Sequence, residues 1–276
     1  MTTSRSALGI ASGLAASTIW GGALAVTRLG VSGEGHFGPM DIAMLRFAGP
    51  ALVLLPILHR AWPRLRHVEL WQLLFLLVGG GAPFVLIVGT GLGIAGSAEA
   101  GALLPGTVPL CVAVVSMFLG ERLGAGRIAG LVLIGVAVTA MVAPALFVSA
   151  EGRWEGYLLL LCAAALSAGY TLALRRSGLG PWEAAAFVSA GSTLALVLPY
   201  LLTREHALLA APLSDVMVQA AFQGVASGVL APVAFAAAVR RLGASQAAAF
   251  GSLSPGAACA GGFALLGEVP DLLTGV

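Results

Sequence analysis

The chain predicts an all-α polytopic membrane protein: an inverted repeat of two five-helix halves with nine spans present and the tenth helix missing or truncated. Three observations carry this expectation. Of the 276 residues, 59% are hydrophobic and 9% are charged, and the mean hydropathy is +0.98. Soluble domains carry about 25% charged residues, so most of this surface cannot face water. Second, the sequence divides into apolar segments of membrane length joined by short connections that hold most of the charges. Third, one device occurs twice. An apolar segment carries a central proline and ends in Leu-Gly-Glu, first with Pro109 and Leu119-Gly120-Glu121, then with Pro255 and Leu266-Gly267-Glu268. Internal symmetry between hydrophobic halves is a mark of transporters, in which the halves rock about a site held between them.

Crossing a hydrocarbon core about 30 Å thick takes about 20 apolar residues. The first segment, residues 7–29, is longer than the roughly 7–15-residue core of a signal peptide and predicts a retained helix. The next three follow at 39–59, which carries Arg46, at 69–91, and at 96–118, which holds the first proline segment. The fifth, 126–147, closes the first half, residues 1–147. The second half, residues 148–276, repeats the order with segments at 154–174, 182–203, 216–239 and 245–266, the last holding the second proline segment. A tenth helix should follow Glu268 as 126–147 follows Glu121. The sequence stops at Val276, about where that helix would begin, which reads either as a fragment or as the loss of the helix.

Arginines set the orientation, because cytoplasmic loops retain the positive charges. With the N-terminus in the cytoplasm, ten fall inside: Arg5, Arg60, Arg64, Arg66, Arg122, Arg127, Arg175, Arg176, Arg240 and Arg241. Three fall outside, at Arg28, Arg153 and Arg204, and Arg46 lies within a span. Five helices per half is an odd number, so the second half inserts upside down and Glu121 and Glu268 fall on opposite faces. The expected location is the cytoplasmic, or inner, membrane.

These residues resemble the EamA-type family of the drug/metabolite transporter superfamily. In the first half the resemblance rests on Trp20-Gly21-Gly22, on Pro39 followed by Leu45-Arg46-Phe47, on Pro109 through Leu119-Gly120-Glu121-Arg122-Leu123, and on Gly130. In the second half it rests on Arg241-Leu242-Gly243-Ala244, Pro255 and Leu266-Gly267-Glu268. It implies a ten-helix inverted repeat that exports, or sometimes imports, small metabolites. It also implies a central cavity lined mainly by the first, third, fourth, sixth, eighth and ninth helices. The family keeps an arginine at the place of Arg46 across varied substrates, which the resemblance makes compatible with a structural role.

Arg46 is the sharpest candidate, because an arginine inside a membrane costs several kcal/mol unless paired or hydrated. Three roles fit it: pairing with Glu99, which lies at a compatible depth, binding a substrate carboxylate in the cavity, or snorkelling to the interface. Glu99 fits proton coupling as well, since desolvation raises a carboxyl pKa toward neutrality. Trp20, Tyr170, Gln219 and Gln223 complete the cavity candidates, the two glutamines sharing one helix face. Aromatic and amide groups suit an uncharged or zwitterionic organic solute, and helix packing is the alternative for each. Pro105, Pro109, Pro232 and Pro255 are candidates for kinks that gate the cavity or set fixed curvature. Glu121 and Glu268 read as architectural helix ends.

Other signals point away from catalysis. No HExxH, Walker A or paired intramembrane aspartates occur, so neither an enzyme nor direct ATP drive is expected. Cys111, Cys162 and Cys259 sit in apolar runs without a metal-binding spacing, so no metal site and no cofactor are expected. The net charge of +2 is too small and dispersed for nucleic acid. The GxGxxG match at residues 91–96 ends an apolar span and lacks the strand and helix of a dinucleotide site. The GxxxG pairs Gly9 and Gly13, Gly89 and Gly93, and Gly224 and Gly228 imply close helix contacts and leave a homodimer open without naming its face. The expected partners are a small-molecule solute and the lipid bilayer.

Overall fold

The computed structural model of the protein describes residues 2–31, 36–95, 97–118, 124–148, 153–203 and 207–267. Among these residues every long element is helical and no strand forms. Each predicted segment becomes a helix: α1 Thr2–Val31, α2 Pro39–Leu65, α3 Leu70–Ile94, α4 Ser97–Phe118, α5 Ala125–Val148, α6 Arg153–Ser177, α7 Pro181–Leu202, α8 Leu213–Leu242 and α9 Ala244–Leu266. Eight are long and apolar enough to cross a membrane, and α5 contributes the shorter apolar stretch Ile128–Ala140. The chain is thus an integral, multi-pass membrane protein. Glu121, Glu268 and the residues after it lie outside the described residues. The outward faces are aliphatic: Leu52, Val53, Leu194 and Leu201 are each at least 70% exposed, as suits contact with lipid tails.

The starts of α2 and α7 share one sequence logic that the segment count alone did not reveal. Gly38-Pro39-Met40-Asp41 opens α2 and Gly180-Pro181-Trp182-Glu183 opens α7. Proline at the first helical position forfeits an N–H that the helix does not use there. Two residues later the acid folds back to accept the glycine N–H, Gly38 N to Asp41 Oδ2 at 2.9 Å and Gly180 N to Glu183 Oε2 at 2.7 Å. A carboxylate there also complements the positive end of the helix. The second oxygen of each acid then reaches the far end of the other helix. The Tyr200 hydroxyl donates to Asp41 Oδ1 at 2.7 Å, and the Arg64 guanidinium donates to Glu183 Oε1 at 2.6 Å. The two helices are therefore antiparallel neighbours tied at both ends, and they pack closely along their length.

The remaining packing follows the same two-fold relation. Helix α1 packs on α8 and α9, while α6 packs on α3 and α4. Exchanging the first four helices for α6 to α9 in order maps one set of contacts onto the other. The first helix of each half is thus embedded in the opposite half, and α4 meets α9 across the pseudo-axis.

Two helices are broken at matching places. In α3 the backbone turns extended at Gly81 (φ −105°, ψ −152°), just ahead of Pro83. The Ala82 N–H is recovered by Ser192 Oγ of α7 at 3.0 Å, as a membrane interior demands of any freed backbone group. In α8 the stretch Ala220–Leu230 winds as a π-helix immediately before Ala231-Pro232. Gly79-x-x-Ala82-Pro83 and Gly228-x-x-Ala231-Pro232 are therefore counterparts in sequence and in place. A 3-10 turn, Phe250–Leu253, precedes Pro255 in α9, whereas α4 runs helical through Pro105 and Pro109.

Close approach fixes the positions of these broken helices. A Cβ at Gly79 would stand 2.0 Å from the carbonyl oxygen of Leu166 in α6, and one at Gly228 would stand 2.4 Å from that of Arg46 in α2. Neither obstacle is a side chain that can rotate away. Gly79→Ala and Gly228→Ala are each expected to destabilise the protein by about 1–3 kcal/mol, the usual cost of overpacking. Gly256→Ala, whose Cβ would meet nothing within 4 Å, is expected to be neutral or slightly stabilising. Thermal unfolding midpoints of the purified variants in one detergent check both statements.

Candidate substrate cavity

A cavity of about 130 Å³ lies between two hydrophobic clusters, with residues from eight of the helices on its wall. The helices expected to line it do so, and α2 and α7 join them through Arg46, Phe47, Val188 and Ser189. On α1 the lining residues Ser17, Trp20, Leu24 and Thr27 recur at spacings of three and four, which is one face of a helix. Helix α6 supplies Ser167 and Tyr170. Ser17-x-x-Trp20 and Ser167-x-x-Tyr170 are thus a further duplicated pair, one from each half. The signal was present in the sequence as a repeated serine-to-aromatic spacing.

Three aromatic rings form a connected wall. Phe235 of α8 lies 5.2 Å from Trp20 at 54° and 6.3 Å from Tyr170 at 21°. Both geometries fall in the range in which aromatic pairs attract beyond simple burial. Phe235 itself was not singled out from the sequence, because a phenylalanine in an apolar span has no mark that separates wall from core.

Arg46 lines the cavity from the eighth residue of α2. Among the described residues its hydrogen-bond partner is Gln223 Oε1 at 3.5 Å, the outer limit of such a bond. Most of its five N–H donors are therefore left for the cavity. Tyr170 lines the same cavity. The side chain of Glu99 lies outside the described residues, as does that of Pro105.

Gln219 and Gln223 stand behind this wall and do not line it. They are 2% and 0% exposed. Gln219 Nε2 donates to the Val26 carbonyl at 2.7 Å, and Gln223 Nε2 donates to Thr27 Oγ1 at 2.8 Å. Together they tie α8 to α1 and hold an acceptor beside Arg46. Two groups that do line the cavity are left over: among the described residues Trp20 Nε1 and Ser227 Oγ are buried without a hydrogen-bond partner. Each such orphan costs about 1–3 kcal/mol unless something arrives to satisfy it. Among the described residues no cluster of His, Cys, Asp and Glu could hold a metal ion.

Pro232 lines the cavity below the π-helical stretch, whereas Pro109 and Pro255 are half-buried away from it. Five of the six GxxxG glycines serve contacts within the chain: Gly224 and Gly228 face the backbone of Leu45 and Arg46, Gly9 and Gly13 face Leu242 and Phe250, and Gly89 faces Pro39, whereas a Cβ at Gly93 would meet nothing within 4 Å.

If the two amides act as interhelical ties, Gln219→Leu lowers stability by about 0.5–2 kcal/mol, the scale measured for hydrogen bonds between membrane helices. The same variant is expected to leave the apparent affinity for a transported solute within about twofold. Unfolding midpoints together with uptake kinetics read the two effects separately.

Comparison with known proteins agrees with this architecture. The model of the EamA-like transporter family matches the chain twice, at residues 7–143 and at residues 154–276. No curated protein matches it. A crystal structure described only as that of a protein is 23% identical over 99% of this chain and 92% of the other, with a TM-score of 0.63, a likeness of fold. With both of its halves matched separately, the chain belongs to the EamA-like transporter family, within the drug/metabolite transporter superfamily.

Proposed function

We propose that the protein is a secondary transporter that moves small metabolites or amino-acid-like solutes, as an exporter, by alternating access. The observation that carries this reading is the central cavity, walled by both halves of a pseudo-symmetric bundle and furnished with Arg46. A site shared by two halves is closed to one side when they rock one way and to the other when they rock back. The halves are residues 1–147 and 148–276, and the arginine distribution favours the inner membrane with the N-terminus in the cytoplasm.

The chain supplies parts suited to such a cycle. Gly81 and the π-helical stretch ahead of Pro232 are places where α3 and α8 can change direction without losing interior hydrogen bonds elsewhere. Pro105, Pro109 and Pro255 are further bending points in α4 and α9. The ties Asp41 to Tyr200 and Arg64 to Glu183 hold opposite ends of the α2 and α7 pair, so loosening one while keeping the other would tilt the pair as a unit. Glu99 near the start of α4 is the group proposed to couple transport to protons. Arg46 is proposed to hold the solute.

Purified protein in proteoliposomes, screened with labelled amino acids and metabolites with and without a proton gradient, tests the reading. Saturable solute movement is expected. Arg46→Ala is expected to cut the rate at least about tenfold at unchanged membrane abundance, and Glu99→Gln to abolish the response to the gradient. No movement of any solute under any gradient, by protein shown to be folded, would overturn the transporter reading. Full gradient response by Glu99→Gln would remove the glutamate from the coupling step.

A further inference from the structure

The cavity is rich in donors that have nothing to bind. Ser227 is 0% exposed and among the described residues its hydroxyl has no partner, and the indole N–H of Trp20 is likewise buried and unpaired among them. Both residues line the cavity together with Arg46, whose contact to Gln223 is long. The three are linked in space. Arg46 and Tyr170 line the same cavity, Tyr170 stacks on Phe235, and Phe235 tilts against Trp20. Gly228, the neighbour of Ser227, abuts the Arg46 carbonyl. Buried polar groups in native proteins are satisfied by protein, water or ligand, and here the wall around them is aromatic.

Resting on the transporter reading, we infer that the solute is a carboxylate with a flat apolar body. Its two oxygens are held by the Arg46 guanidinium, the Trp20 indole N–H and the Ser227 hydroxyl, and its body lies along the wall formed by Trp20, Tyr170 and Phe235. The chemistry is specific. A guanidinium is the cation whose planar fork fits a carboxylate. The indole N–H is a donor and no acceptor, so that edge of Trp20 rewards an anion or a carbonyl and not an ammonium. The serine hydroxyl can turn to donate as well. A hydrogen bond from such donors to a full negative charge is about twice as strong as one between neutral groups. An ester of the same shape therefore keeps the aromatic contacts and loses the charge-assisted ones. Within the wall Trp20 presents the more exposed ring, while Phe235 is 7% and Tyr170 6% exposed. Trp20 accordingly contributes both a donor and a stacking face.

Two conservative variants separate these contributions: Trp20→Phe keeps a ring and removes the N–H, and Ser227→Ala keeps the size and removes the O–H. The probes are 3-phenylpropionate, its methyl ester, phenethylamine and propionate. Each is measured by the shift it causes in thermal unfolding of the purified full chain and by competition in proteoliposomes. The unliganded unfolding midpoint of every variant reports that it folds. Wild-type protein is expected to prefer 3-phenylpropionate over its methyl ester, over phenethylamine and over propionate by about tenfold or more each, the scale of one charge-assisted hydrogen bond or one stacked ring. Trp20→Phe and Ser227→Ala should each weaken 3-phenylpropionate about three- to tenfold and weaken the ester less, because its neutral carbonyl accepts a weaker bond. Arg46→Lys should retain part of the preference for the anion, and Arg46→Gln should lose it.

Equal effects of Trp20→Phe on acid and ester, or equal binding of acid and amine by wild-type protein, would overturn the carboxylate assignment. Saturable transport of another solute with no recognition of 3-phenylpropionate would overturn this solute class and leave the transporter reading standing. Immobility of every solute in folded protein would instead overturn the transporter reading itself.

Discussion

Lipid tails are as apolar as leucine, so no hydrophobic force draws these helices together, and contact distance must do that work. The protein answers with glycines where helices cross and with polar side chains that reach a neighbour. Gly79 and Gly228 let α3 and α8 rest directly on the carbonyls of α6 and α2. Ser254 Oγ reaches the Ser17 carbonyl at 3.0 Å, Ser192 Oγ accepts the freed N–H of Ala82, and Gln219 holds the Val26 carbonyl. Two of these three bonds join α1 to a helix of the opposite half, and the other joins α3 to α7. The bundle is therefore cross-tied between halves. The central cavity can persist in such a frame because the ties hold the helices around it.

The ties on α2 and α7 differ in strength, and the difference follows from burial. Asp41 is 3% exposed and accepts from both Gly38 and Tyr200. Arg64 is 73% exposed at the side chain, so its bond to Glu183 is screened and worth little on its own. One end of the helix pair is thus fastened more firmly than the other. In the proposed rocking cycle, unequal ends give a preferred resting state, and the more exposed ion pair is the end that opens more readily.

Much of this was legible in the sequence, and the reasons for the rest are specific. Segment length and hydropathy gave all the helices because a bilayer imposes length on every element. The duplicated Pro109 and Pro255 segments exposed the repeat because prolines in apolar runs are rare enough to notice. Gly-Pro-Met-Asp and Gly-Pro-Trp-Glu were equally readable, but they lie at segment ends where a search for spans does not look. The break at Gly81 was hidden because three successive glycines resemble the packing glycines found throughout the chain. Gln219 and Gln223 show a different limit. A four-residue spacing establishes that two amides share a face and says nothing of whether that face meets a cavity or another helix. Here α1 offered the Val26 carbonyl and the Thr27 hydroxyl, and the amides took them.

The symmetry that builds the cavity fails at the residue that gives it charge. Ser17 and Trp20 on α1 have their counterparts in Ser167 and Tyr170 on α6, and all four line the cavity. Aligning the Gly-Pro starts of α2 and α7 places Arg46 opposite Val188, and both of these line it too. A perfectly symmetric cavity would present a solute with two equivalent orientations and no net field. Replacing one of two equivalent positions by arginine creates a single positive pole and leaves an apolar surface across from it. Scaffold and site therefore obey opposite requirements. On the proposed transport cycle, the frame needs likeness between the halves so that opening to either side costs a similar amount. The site needs unlikeness so that one end of the solute is told from the other.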